Sequence, residues 1–75
     1  MNGGNPMPEM SPVFSSHVAH MGYEDGDLHV TWKSGKTSIY SGVPAAVADE
    51  AMKSYSIGDY LRTNIKPFYN HRYAQ

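Results

Sequence analysis

Cysteine is absent from this chain, so neither a disulfide framework nor a thiolate metal site can brace it. The absence also fits a reducing compartment. No stretch approaches the roughly 20 apolar residues that span a bilayer. The opening residues, Met1 to Pro12, lack a basic region followed by an apolar run, which reads against a secretory signal. A soluble cytoplasmic protein, away from membranes, is the expectation. There is no G-x-S-x-G elbow, no phosphate-binding P-loop and no thiol nucleophile, so no enzyme is expected. Four histidines invite a metal reading, with His17, His20, His29 and His71 as the material. On a strand, however, positions 17 and 20 point to opposite faces, which opposes shared ligation. Neither a metal nor a cofactor is expected.

Acid is missing from one end of the chain. All seven Asp and Glu lie at or before Asp59, while Arg62, Lys66, His71 and Arg72 follow it. The net charge of −1 does not favour tight, nonspecific binding to long nucleic acid. The C-terminal segment is locally cationic and interleaved with Tyr60, Phe68, Tyr69 and Tyr73. A solvated helix face with a frayed tail accounts for this pattern; so does a short anion site with aromatic walls.

Seventy-five residues make one domain, in the size range where a single core is only just sufficient. Residues 1–12 carry Pro6, Pro8 and Pro12 with almost nothing to bury, and read as a flexible lead-in. An ordered domain is expected over 13–70 and a C-terminal tail over 71–75. From Val13 to Met21 the residues suit a strand, although neither parity is cleanly apolar. Gly22-Tyr23 suggests a bulge or bend. Asp25-Gly26, at the centre of Glu24 to Asp27, is a hairpin signal. Leu28, Val30 and Trp32 then alternate with His29, Thr31 and Lys33. Lys33 to Lys36 forms a second turn before a strand at Thr37 to Tyr40.

After Val43 the apolar period lengthens from 2 to 3.6. Pro44 suits the first turn of a helix, and Ala45 to Lys53 continues it with an apolar stripe of Val47, Ala48, Ala51 and Met52. Ser54-Tyr55 breaks that helix. Ser56 opens the next as N-cap, with Asp59 in a near-match to a capping box. Ile57, Leu61 and Ile65 form its buried side, and Pro67 its stop. The expected fold is therefore α+β: a three-stranded antiparallel β-meander followed by two short α-helices.

The start of the second helix is the candidate site. Ser56 to Asp59 leaves backbone N–H groups facing outward, and Gly58 permits close approach. Arg62 and Lys66 follow Gly58 at successive turns on one face. Tyr60 and Asn64 make an adjacent pair, and Asn64 offers two donors and an acceptor. Simple capping by Ser56 and Asp59 explains the same residues, and Asp59 would repel an anion.

These residues also carry a resemblance. The succession Val13-x-Ser15-Ser16, Gly22-Tyr23, Leu28-x-Val30-x-Trp32-x-x-Gly35, Tyr40-x-x-Val43-Pro44 and Ser56-x-Gly58-x-Tyr60-Leu61-x-x-x-Ile65-Lys66-x-x-Tyr69 looks like the KTSC domain. It runs from Val13 to Tyr69. The family takes its name from the C-terminal region of certain lysyl-tRNA synthetases and occurs as stand-alone proteins in bacteria and phages. The resemblance implies a binding role, with RNA the usual suggestion. Small phage proteins of similar design imply another use, as oligomeric traps for nucleotide immune signals. The family's Tyr-x-Tyr pair before Val-Pro is incomplete here: Tyr40 holds the second position but Ser38 the first.

Charge bears on the choice between these readings. An RNA-binding module needs a broad basic surface that follows many phosphates. A small nucleotide needs two or three cations and aromatic faces for its bases, such as Tyr40, Tyr55, Tyr60, Tyr69 and Trp32. The expectation is a non-catalytic homo-oligomer that binds a small nucleotide-like anion through Tyr40, Ser56, Gly58, Tyr60, Arg62, Asn64, Lys66 and Tyr69. An RNA-binding accessory domain and a protein-interaction or oligomerisation module are the alternatives.

Overall fold

The structure, a computed structural model, describes residues 8–74. Five antiparallel strands form one sheet in chain order: β1 (Ser11–Pro12), β2 (Val18–Glu24), β3 (Asp27–Trp32), β4 (Thr37–Ser41) and β5 (Asn70–Tyr73). Between β4 and β5 lie α1 (Ala45–Lys53) and α2 (Ile57–Tyr60), the latter running directly into a π-helical segment, Leu61–Ile65. The fold is α+β with two helices, as expected, but the sheet has five strands rather than three.

The central meander follows from its turns. Asp25 and Gly26 both take positive φ, 50° and 84°, the conformation of a two-residue turn whose twist matches the strands it joins. The register then runs Tyr23 to Leu28, Gly22 to His29 and Met21 to Val30. The second turn closes through Trp32 N–H to Lys36 O and Gly35 N–H to Trp32 O.

The two added strands sit at the edges, and each lacks an apolar signature for a reason. All four side chains of β5 are exposed, so its pairing with Ser38 to Ser41 rests on backbone bonds rather than on burial. This strand takes up most of the segment expected as a tail. At the other edge, β1 pairs Ser11 with Met21 and Pro12 with His20, too short a run to show any period. Of the lead-in expected over 1–12, residues 1–7 lie outside the described residues, as does Gln75 of the tail.

Val13 to His17, expected as strand, is instead a loop. The Ser15 hydroxyl accepts the N–H groups of His17 and Val18, a local bond that competes with a strand ladder. The expected irregularity at Gly22 falls between Val18 and His20 instead. Gly22 stays in register and serves another purpose. A Cβ at that position would lie 2.6 Å from Met10 Sδ and 2.7 Å from the Glu9 carbonyl oxygen, so the chain ahead of β1 crosses directly over it.

One face of the sheet holds the core. Met21, Leu28, Val30 and Tyr40 pack with Val43, with Ala48 and Ala51 of α1, and with Ile57, Leu61 and Ile65. The small side chains of α1 let that helix lie close to the sheet. Pro44 stands just before α1 with extended backbone, and its carbonyl accepts from Val47 and Ala48. The Gly26 carbonyl accepts the Val43 N–H, and the Tyr23 hydroxyl donates to the Val43 carbonyl, which ties the hairpin to the start of α1. On the opposite face, Gly22, His29, Ile39 and Arg72 stand in one cross-strand row.

Candidate functional site

Beyond the end of the core, an open groove of about 750 Å³ runs between the Val13–His17 loop and the second helix. The loop supplies Phe14, Ser15, Ser16 and His17, and Trp32 forms part of the lining. The helical side supplies Tyr55 and Ser56 to Asp59, then Arg62 and Lys66. Each part is held by a local bond. The Ser15 hydroxyl turns the loop, and the His17 carbonyl accepts the Lys33 N–H, fastening the loop beside the β3–β4 turn. Trp32 Nε1 donates to Ser38 Oγ at 2.8 Å, which fixes the indole. Ser38 thus anchors a wall of the groove.

Two aromatic rings at the groove are left in water. Phe14 and Tyr55 are fully exposed, at 100 % and 106 % of the reference area. The helical side presents Gly58, Arg62 and Lys66 on one face, as their spacing predicts. The π-helical segment that carries Arg62 is recognised by the Lys66 N–H bonding to the Leu61 carbonyl, five residues back. Even so, Ile57, Leu61 and Ile65 all remain buried on the inner side.

The expected cap is not made. Ser56 forms no side-chain bond to the backbone N–H groups of the helix. Its hydroxyl instead donates to Asp59 Oδ2 at 3.2 Å, and Arg62 Nη2 donates to Asp59 Oδ1 at 2.9 Å. The Arg62 bond, then the Ser56 bond, hold the Asp59 carboxyl below its ordinary range. The pair is local and exposed, so solvent screens it strongly. Lys66 has no ion-pair partner among the described residues. Counting Arg62 and Lys66 against Asp59, the groove carries one net positive charge.

Of the eight residues expected to bind ligand, the groove brings together Ser56, Gly58, Arg62 and Lys66. The other four lie elsewhere. Tyr40 is 2 % exposed in the core, where burial raises its pKa and its ring meets His71 at 5.1 Å. Tyr60 donates its hydroxyl to Glu50 Oε1 at 2.9 Å, a bond that raises its pKa. Tyr69 packs half-buried against the core. Asn64 is exposed outside the groove lining. Sequence reading missed the loop residues Phe14 to His17 because they were assigned to a strand. Tyr55 had a usable signal: a large aromatic at a helix break, off every apolar stripe.

Comparison with known proteins places this architecture. The model of the KTSC domain matches residues 14–69. The chain belongs to the KTSC domain family. Its structure is similar to the crystal structure of a KTSC domain protein from Yersinia pestis, with a TM-score of 0.82 and 28 % sequence identity. That match covers 92 % of this chain and all of the other. No match was found among curated proteins. The family region takes in both walls of the groove and leaves β1 and β5 outside it. No helix among the described residues is long and apolar enough to cross a membrane. No group of three or more potential metal ligands occurs among those residues.

Proposed function

We propose that this KTSC domain is a non-catalytic cytoplasmic binding module whose groove takes up, and sequesters, a small anionic nucleotide. A cyclic oligonucleotide immune signal, trapped by a phage-type anti-defence protein, is a ligand of this kind. One observation carries the reading: Phe14 and Tyr55 are fully exposed in the same groove as Arg62 and Lys66. Exposed rings gain from a flat partner, and stacking a base on an aromatic side chain contributes about 1–3 kcal/mol. The two cations line the same groove as the rings, and each charge-assisted bond to a phosphate would add to the affinity.

The distribution of the remaining cations favours a compact ligand over an extended RNA. Arg72 is paired with Asp27, and Lys53 with Asp49, while Lys33 and Lys36 of the β3–β4 turn lie outside the groove lining, so two cations at most could lengthen the Arg62–Lys66 pair. A polymer that follows many phosphates needs a longer basic track. The domain acts as a homo-oligomer in this reading. The open edge of β5 and the exposed Phe68 and Tyr73 support self-association, since an uncovered strand edge is a template for pairing.

Native mass spectrometry of the protein with cyclic di- and trinucleotides and with a short single-stranded RNA tests the proposal. Expected are saturable nucleotide adducts on an oligomer, and their loss in Phe14→Ala/Tyr55→Ala with the fold unchanged by circular dichroism. Salt-sensitive RNA binding without nucleotide adducts would replace this reading with the RNA one. An oligomer that binds neither would leave an oligomerisation module.

A further inference from the structure

Asp59 is awkward for a site that holds only phosphate, because its carboxylate lines the groove and is bonded to Arg62. It makes sense as part of a base-reading pair. We infer that Asp59 and Arg62 are specificity-determining residues that select guanine over adenine, an inference that rests on the nucleotide reading of the groove.

The argument starts from unused bonding capacity. The Asp59 carboxylate offers about four lone-pair sites. Arg62 and Ser56 each occupy one, on different oxygens. Both oxygens therefore retain acceptor capacity. The Arg62 guanidinium carries five N–H donors, and one of them is engaged with Asp59. Both side chains are exposed, at 68 % and 69 %, so those remaining groups are accessible. The site thus presents two acceptors beside a donor fork, next to the aromatic surfaces of Phe14, Tyr55 and Trp32.

Guanine is the base that complements this pattern. Its N1–H and N2–H donate side by side and suit the two oxygens of one carboxylate. Its O6 and N7 accept and suit a guanidinium, the pairing by which arginine commonly reads guanine. Adenine instead sets an acceptor, N1, beside its amino group, which faces a carboxylate oxygen with a lone pair. Uracil offers one N–H between two carbonyls and engages only half of the carboxylate. The difference is amplified because a polar group left unpaired under a stacked base has lost water without replacement.

Isothermal titration of the full chain with 5′-GMP and 5′-AMP decides the matter. The wild-type protein is expected to bind GMP at least tenfold more tightly. In Asp59→Asn one oxygen becomes an N–H₂ donor, which suits adenine, so the preference should vanish or invert. Arg62→Lys keeps the charge and loses the fork; it should retain affinity and lose discrimination. Equal affinity for both nucleotides in the wild type would overturn the inference and leave the nucleotide reading standing. So would Asp59→Asn tightening both by the same factor, which is charge relief alone. Binding of neither mononucleotide would overturn the inference, and the nucleotide reading falls with it only if the cyclic di- and trinucleotides also leave no adduct. Each variant should keep the wild-type unfolding midpoint, since the altered groups are exposed.

Discussion

The groove and the far face of the sheet draw on the same cationic C-terminal segment and treat its charges in opposite ways. On the far face, Arg72 donates to Ser41 Oγ at 2.8 Å and to Asp27 at 3.3 Å, partners 31 and 45 residues away in the chain. Its guanidinium joins β5 to β3 and β4. Its row-mates are packed in: His29 is buried with Nδ1 unpartnered among the described residues, and Gly22 lies under Glu9 and Met10. In the groove, Arg62 is held only by Asp59, three residues away, and Lys66 has no ion-pair partner among the described residues. Arg72, with its distant partners, joins strands of the sheet. Arg62 and Lys66, with a local partner or none among the described residues, remain available in the groove that exposed Phe14 and Tyr55 also line. A charge count alone does not separate the two; the sequence separation of the partners does.

Four variants test this contrast. The largest effect is expected in the groove. Arg62→Ala/Lys66→Ala removes two charge-assisted contacts and should weaken nucleotide binding by about 100-fold, read by titration calorimetry. Its unfolding midpoint should not move; a large fall in stability would mean that the two corners are alike after all. Next comes the packing on the far face. In Gly22→Ala the new methyl meets the Glu9 backbone, which cannot simply rotate away. A stability loss of about 1–3 kcal/mol in urea unfolding is expected, with ligand affinity intact.

Arg72→Ala should have a smaller effect, about 1 kcal/mol of stability, because its ion pair is partly exposed. Faster hydrogen exchange confined to β5 would show where the loss acts. Affinity should stay the same, and a parallel drop in binding would place Arg72 at the site. The smallest effect concerns pH. Burial lowers the His29 pKa from its ordinary 6.5, and Arg72 adds to the lowering while Asp27 and Glu24 oppose it. The unfolded chain therefore takes up a proton first as pH falls, and this contribution to stability declines from about pH 6.5 down to the folded pKa. It is complete above 6.5. His29→Gln should flatten that part of the stability–pH curve, and Arg72→Ala should make it shallower.

Much of the fold was legible from residue order, for reasons that are local. Asp25-Gly26 is a hairpin signal as a dipeptide, and both residues take the positive φ of a tight turn. The alternation of Leu28 and Val30 and the spacing of Ile57, Leu61 and Ile65 mark faces that are buried as expected, while Trp32 is partly buried at the groove. Half of the candidate site was legible in the same way. Gly58, Arg62 and Lys66 share a helix face, and a face is a property of spacing. The tyrosines were not, because an aromatic ring serves core and ligand equally well in sequence. Tyr40 went to the core; Tyr55 went to the groove.

By itself, then, the sequence determined the turns, the two helical stripes, the acid-free end and the KTSC pattern, all of which depend on neighbours a few residues apart. Tertiary structure alone decided the two edge strands, the loop that brings Phe14 and His17 opposite the second helix, and which cations stay available. Those outcomes depend on backbone bonds and long-range partners. Neither leaves a period in the chain.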